Sequence, residues 1–169
     1  MNSYGDTFEK QRELEKKSLS DTIQYFESSE DVNELSELMF AHWIKPSAFE
    51  ESIEFFENCP VPIYIVSNID RADIEKAIKY HGFKPTKVFT SEDAKSYKPR
   101  KELFELALMV TGFASSEIVH IGDSLNSDIK GASNLGINTI WINRSNKEIP
   151  TGVMAVKSLL EVFETNYFL

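Results

Sequence analysis

HIGDSLNSDIKGASNLGINTIWINR, residues 120–144, reads as strand, polar loop, helix, turn and strand. Ile118 to Ile121 is a short apolar strand, Asp128 to Leu135 a helix, and Asn138 to Ile142 a second strand. Gly131, Gly136 and Asn138 suit close helix packing and the turn back to the strand. A strand joined to the next by one helix implies a parallel βαβ unit.

The same rhythm extends upstream to Cys59. Val61 to Val66 is a β-branched run with Pro62 near its start, where proline is tolerated. A helix follows with Ile74, Ala77 and Ile78 on one face, ending near Gly82, and Lys87 to Phe89 is a further strand. Lys101 to Thr111 reads as a helix with Leu103, Phe104, Ala107 and Leu108 inward, and Val156 to Phe163 as the last helix. The polar segment Asn143 to Met154 is the expected mobile loop. The fold class is therefore α/β, a doubly wound parallel sheet.

Before Cys59 the pattern is helical, acidic and aromatic. One helix is expected from Thr7 to about Glu27, with Asp6-Thr7 read as its start. A second is expected from Val32 to about Ile44, capped by Asp31, and a third after Pro46 carrying Phe49, Ile53 and Phe56. Phe26, Met39, Phe40 and Trp43 are expected to line the packed faces. Residues 1–58 thus form a helical cap subdomain, and residues 59–169 the α/β core.

Bulk properties exclude several classes. A chain of 169 residues is long enough for a core without covalent staples, and the single cysteine, Cys59, excludes an internal disulfide. A net charge of −9 argues against a nucleic-acid backbone binder. No apolar run approaches the roughly 20 residues of a membrane span, and residues 1–17 show no signal-peptide core. A cytoplasmic location is the expectation.

Three polar clusters fall after strands, where sheets of this kind bind ligands. Ser67-Asn68-Ile69-Asp70 follows the first strand; it suits an anion, and equally reads as a helix cap. In Ser96-Tyr97-Lys98-Pro99, a lysine stands before a proline that starts a helix. That lysine could neutralise a phosphate oxygen or simply be solvated. In Gly122-Asp123-Ser124-Leu125-Asn126-Ser127-Asp128, two acids span a strand end and a helix start. They suit a hard cation, though Asp123 or Ser124 could equally cap the helix.

Taken in order, IYIVSNID (63–70), TSEDAKSYKPRKELFELAL (90–108) and residues 120–144 resemble the haloacid dehalogenase (HAD)-like hydrolases, in the subgroup with a helical cap after the first strand. The resemblance implies transfer of a phosphoryl group from a small phosphorylated metabolite to an aspartate, followed by hydrolysis. It implies that Ser67 and the Asn68 amide hold phosphate, that Lys98 offsets charge, that Asp123 ligates Mg²⁺, and that Asp128 stands behind the metal waters or Lys98.

The family's first motif, a strand ending in Asp-x-Asp, has no counterpart before the cap helices. The resemblance therefore implies a sheet lacking its first, central strand and a chain inactive alone. The expected partners are a strand-donating or homo-oligomeric chain and no nucleic acid or membrane. The alternatives are a non-catalytic module that binds phosphate or metal or accepts a strand from another chain, a phospho-acceptor receiver domain, for which the cap helices have no place, and a C–halogen hydrolase.

Overall fold

The computed structural model describes residues 3–167; the outermost limits of the two predicted units, 1 and 169, lie outside them. Among the described residues, three N-terminal α-helices are followed by four more interspersed with five strands. Helix α1 spans Gln11–Tyr25, α2 Val32–Ile44 and α3 Glu50–Asn58. The core continues with β1 (Tyr64–Ser67), α4 (Arg71–His81), β2 (Lys87–Thr90), the single turn α5 (Ser91–Ala94) and α6 (Glu102–Thr111). Then come β3 (Val119–Gly122), a π-helical turn at Leu125–Lys130, α7 (Gly131–Ser133), β4 (Asn138–Ile142) and β5 (Ala155–Val156). Among the described residues no helix is long and apolar enough to cross a membrane.

The N-terminal region follows local chemistry where that chemistry is present. The Asp31 carboxylate accepts from the amides of Asn33 and Glu34, so α2 starts as expected. Helix α1 has no such residue of its own. It begins at Gln11, after a 3₁₀ turn at Gly5–Thr7, and its free amides are met by Asp70 from the start of α4. The expected start at Asp6-Thr7 is thus a separate turn. Phe40 is buried, but Phe26 is 72% exposed, because it lies at the C-cap of α1. In α3 the buried ring is Phe55, while Phe49 and Ile53 are exposed.

Two half-sheets make up the core. Strands β1 and β2 pair in parallel, with Tyr64 opposite Lys87 and Ser67 opposite Thr90. Strands β3, β4 and β5 form a second parallel set, with Gly122 opposite Trp141 and Trp141 opposite Ala155. Val156, expected in the last helix, is therefore in an edge strand, and the helical turn that follows is a 3₁₀ segment at Leu160–Glu164.

No hydrogen-bonded ladder joins β1 to β3 among the described residues. Between them lies a cavity of about 760 Å³ lined by Ile65, Val66, His120, Ile121, Lys98 and Phe104, among others. Every residue of β1 and β3 is only half-buried, whereas Ile140, Trp141 and Ile142 in β4 are buried. The halves meet instead through side chains: Phe104 of α6, Ala132 and Ile137 form one cluster against which Val66 and Ile118 pack. Phe55 of α3 closes another with Ile140, Ile142 and Val162.

Candidate functional site

The carboxyl ends of β1 and β3 converge on one ammonium group. Lys98 Nζ donates to the carbonyl of Val66 at 2.8 Å and to Asp128 Oδ1 at 2.6 Å. Both side chains of that ion pair are close to buried, at 11% and 8% exposed. Lys98 is held there by Asn68, whose Oδ1 accepts from the Lys98 amide at 2.7 Å and whose Nδ2 donates to the Lys98 carbonyl at 3.2 Å. The expected fixation by a helix start is replaced by this clamp, since α6 begins only at Glu102.

Ser67 closes β1, and its hydroxyl accepts from the Ile69 amide at 3.3 Å. The helix-cap reading of Ser67 and Asn68 is not what the structure shows, since the N-cap of α4 is Asp70. Asp70 in turn spends its carboxylate on α1, accepting from Gln11 N at 2.8 Å and Arg12 N at 3.1 Å. Three residues on, Asp73 is 1% exposed and takes both arms of Arg12 at 2.7 Å. The strand end that carries Ser67 is thus tied directly to the helical N-terminal region.

Asp128 is placed by the π-helical turn. The amides of Asp128 and Ile129 both bond the Ser124 carbonyl, at 2.9 and 3.1 Å, which widens the helix there. The expected regular helix from Asp128 to Leu135 is therefore a π turn followed by the short α7. Ser124 does cap it, accepting from the Ser127 amide at 3.1 Å. Asp128 Oδ2 accepts from the Ser124 amide at 3.1 Å, and Oδ1 also meets His120 Nε2 at 3.2 Å. Burial opposes ionisation of Asp128, but His120 and Lys98 outweigh it and hold its carboxyl well below the usual carboxylate range.

His120 is a member of this cluster that the sequence did not announce. It sits on β3, its ring edge-on to Phe104 at 5.1 Å. The only signal for it was a polar residue inside an otherwise apolar strand.

Asp123 stands apart. Its side chain is exposed, and its backbone carbonyl accepts from the Trp141 indole at 3.0 Å. It lines a second cavity, of about 230 Å³, together with Phe49, Arg144 and Lys147. Among the described residues no group of three His, Cys, Asp or Glu side chains converges as a metal cage. The donor set nevertheless suits a hard cation that keeps most of its waters: one free carboxylate at Asp123, while the Asp128 oxygens are already occupied by Lys98 and the Ser124 amide.

The segment expected to be mobile is pinned at its start. Asn143 is 6% exposed; its side chain accepts from the Lys147 amide at 2.9 Å and donates to the Lys147 carbonyl at 2.8 Å.

Comparison with known proteins agrees with this architecture. The family model described as haloacid dehalogenase-like hydrolase matches residues 5–142. The pyrimidine 5′-nucleotidase PynA of Streptococcus pneumoniae is 35% identical over 86 residues, 47% of this chain and 36% of that protein. The pyrimidine 5′-nucleotidase YjjG of Escherichia coli is 32% identical over 80 residues, again 47% and 36%. The chain thus spans about a third of the length of these curated relatives. Among solved structures, the HAD-hydrolase YfnB of Bacillus subtilis, bound to magnesium, superposes with a TM-score of 0.80 at 25% identity, over 91% of this chain and 71% of that one. A dehalogenase with an intermediate complex gives a TM-score of 0.83 at 21% identity, over 94% and 73%, a likeness of fold.

Proposed function

The chain belongs to the haloacid dehalogenase-like hydrolase family, and from that premise we propose that it carries the phosphate- and metal-binding part of a Mg²⁺-dependent phosphatase for small phosphorylated metabolites, nucleoside monophosphates foremost. The observation that carries this reading is the meeting of Lys98 with Val66, Asp128 and Asn68 at the two strand ends. The two pyrimidine 5′-nucleotidases among the relatives support the substrate class.

In this reading the Ser67 hydroxyl and the Asn68 amide bind phosphoryl oxygens, and Lys98 neutralises charge that builds on them. Asn68 keeps the Lys98 backbone in place, and Asp128 orients its ammonium. Asp123 holds Mg²⁺ with Asp128 behind it; the ion, when bound, supplies charge neutralisation at the transferring phosphoryl group. Each of these groups positions or stabilises. None is a nucleophile.

An aspartate nucleophile would have to lie beside Lys98, between β1 and β3. Among the described residues the cavity there is lined by one acid, Glu117, which lies before β3, away from the strand ends where Lys98 sits. In this reading the chain by itself should be inactive. Losing a nucleophile from a cooperative site costs on the order of 10⁶ in rate.

The same cavity favours a second reading, a non-catalytic module that accepts a strand from another chain or a second copy.

Phosphatase assays with Mg²⁺ on the chain as it stands, and on a version preceded by an apolar strand ending in Asp-x-Asp, separate these readings. The first should show background rates and the second turnover. Turnover by the unextended chain would overturn the account of its inactivity. Mg²⁺-independent dehalogenation by the extended form would overturn the phosphatase reading.

A further inference from the structure

We propose that the small cavity beside Asp123 is a leaving-group subsite for a single-ring base bearing carbonyl oxygens; this rests on the nucleotidase reading above. The cavity, about 230 Å³, lies where the loop after β4 meets the N-terminal end of α3, with Phe49, Asp123, Trp141, Arg144, Ser145 and Lys147 in its lining. Whole-ligand pockets run to roughly 300–1,000 Å³, so this volume suits one ring of a ligand whose phosphate lies outside it.

Its walls are built in advance. Asn143 bonds both the amide and the carbonyl of Lys147, and the Asn146 amide donates to the Asn143 carbonyl at 3.1 Å. Arg144, Ser145 and Lys147 are therefore carried on a closed loop. The Arg144 guanidinium is fixed in turn. It donates to Glu51 Oε1 at 3.0 and 3.2 Å and lies 3.8 Å from the centre of the Phe49 ring. Glu51 offsets its charge, so Arg144 contributes a flat surface more than a free cation, and bases stack on guanidinium planes and aromatic rings alike.

The remaining polar groups set the ligand's hydrogen-bonding sense. Lys147 is in none of the ion pairs among the described residues, which leaves its ammonium and the neighbouring Ser145 hydroxyl as donors. The one free carboxylate, Asp123, is the proposed metal ligand. A donor-bearing wall beside a stacking surface fits a ring with carbonyl acceptors, as in uracil or cytosine, and the small volume favours these over two-ring adenine, which offers only ring nitrogens as acceptors.

Trp141 in the lining provides the readout, because its indole is bonded to the Asp123 carbonyl at 3.0 Å. The chain has two tryptophans, so Trp43→Phe isolates its emission. Uridine, adenosine and ribose are titrated into this protein with Mg²⁺, and inorganic phosphate is titrated separately by calorimetry. Uridine should shift the emission and bind about tenfold tighter than adenosine or ribose. Lys147→Ala, an exposed change that leaves folding intact, should remove that preference and leave the phosphate affinity unaltered. Phe49→Ala should weaken uridine and adenosine together. Equal binding of uridine and ribose, or a preference that survives Lys147→Ala, would overturn the subsite. Absence of phosphate binding would overturn the phosphatase reading alone, since uridine carries no phosphate.

Discussion

The side chain of Asn68 closes on the backbone of Lys98 from both sides, accepting from its amide at 2.7 Å and donating to its carbonyl at 3.2 Å. Two partly buried hydrogen bonds across 30 residues are what keep the lysine at the strand ends. Asn68→Ala should lower stability by about 1–3 kcal/mol. Calorimetric affinity for inorganic phosphate with Mg²⁺ should fall at least as much as in Lys98→Met. Unchanged phosphate affinity would separate the clamp from the binding site.

Asp128 links charge to acid stability. Its folded carboxyl titrates below the ordinary range, because His120 and Lys98 outweigh the cost of burial. In acid the unfolded chain, with an ordinary aspartate pKa of about 3.9, takes up that proton first. The stabilisation is complete above the unfolded pKa and is lost as pH falls through the folded one. Denaturation at a series of pH values should show a shallower acid slope in Asp128→Asn. At neutral pH that variant should lose about 3 kcal/mol, since the Lys98 charge stays buried without its carboxylate.

Gly122 admits no side chain. A Cβ there would stand 2.4 Å from both Cβ and Cγ of Asp128. Gly122→Ala should destabilise by about 1–3 kcal/mol, the usual cost of overpacking. It should also displace the carboxylate from Lys98, so its acid slope should approach that of Asp128→Asn. A wild-type slope in Gly122→Ala would mean that the strand, not Asp128, yields.

Arg12 and Asp73 tie the N-terminal helices to the core. Asp73 is 1% exposed, while the Arg12 side chain is 32% exposed. Arg12→Ala should cost about 3 kcal/mol, the lower end for a broken buried pair, because water reaches one partner. Asp73→Asn in the same chain should recover part of that loss, measured by urea denaturation. Additive losses would exclude coupling between the two residues.

Sequence reading succeeded where the controlling contact is local or the spacing repeats. Asp31 caps α2 from two residues away, and Leu103, Phe104 and Ala107 face inward on α6 as their spacing required. The order of Ser67, Lys98, Asp123 and Asp128 along the chain placed them at strand ends; Lys98 and Asp128 meet there, while Asp123 faces a separate cavity. Failures came from distant partners. Asp70 caps α1 across 59 residues, and Val156 joins a strand because its partner is Ile142. Arg144 meets Glu51 across 93 residues, which no local pattern encodes. His120 left too small a signal, since one polar residue in a half-buried strand reads equally well as solvent-facing.

The separation of β1–β2 from β3–β4–β5 bears on how the molecule comes apart. In a continuous sheet, opening one strand strips hydrogen bonds from the next, so the layers fail together. Among the described residues no backbone ladder transmits that loss, and the halves communicate through side chains: the Lys98–Asp128 pair, Phe104 packed with Val66, Ala132 and Ile137, and Ile63 against the cluster of Ile140 and Ile142. Amide exchange should therefore divide the core into two units with separate opening free energies. The β1–β2 unit, with fewer strands, should open first. Cooperativity would then rest on side-chain packing alone, and weakening that packing should uncouple the halves before it unfolds either.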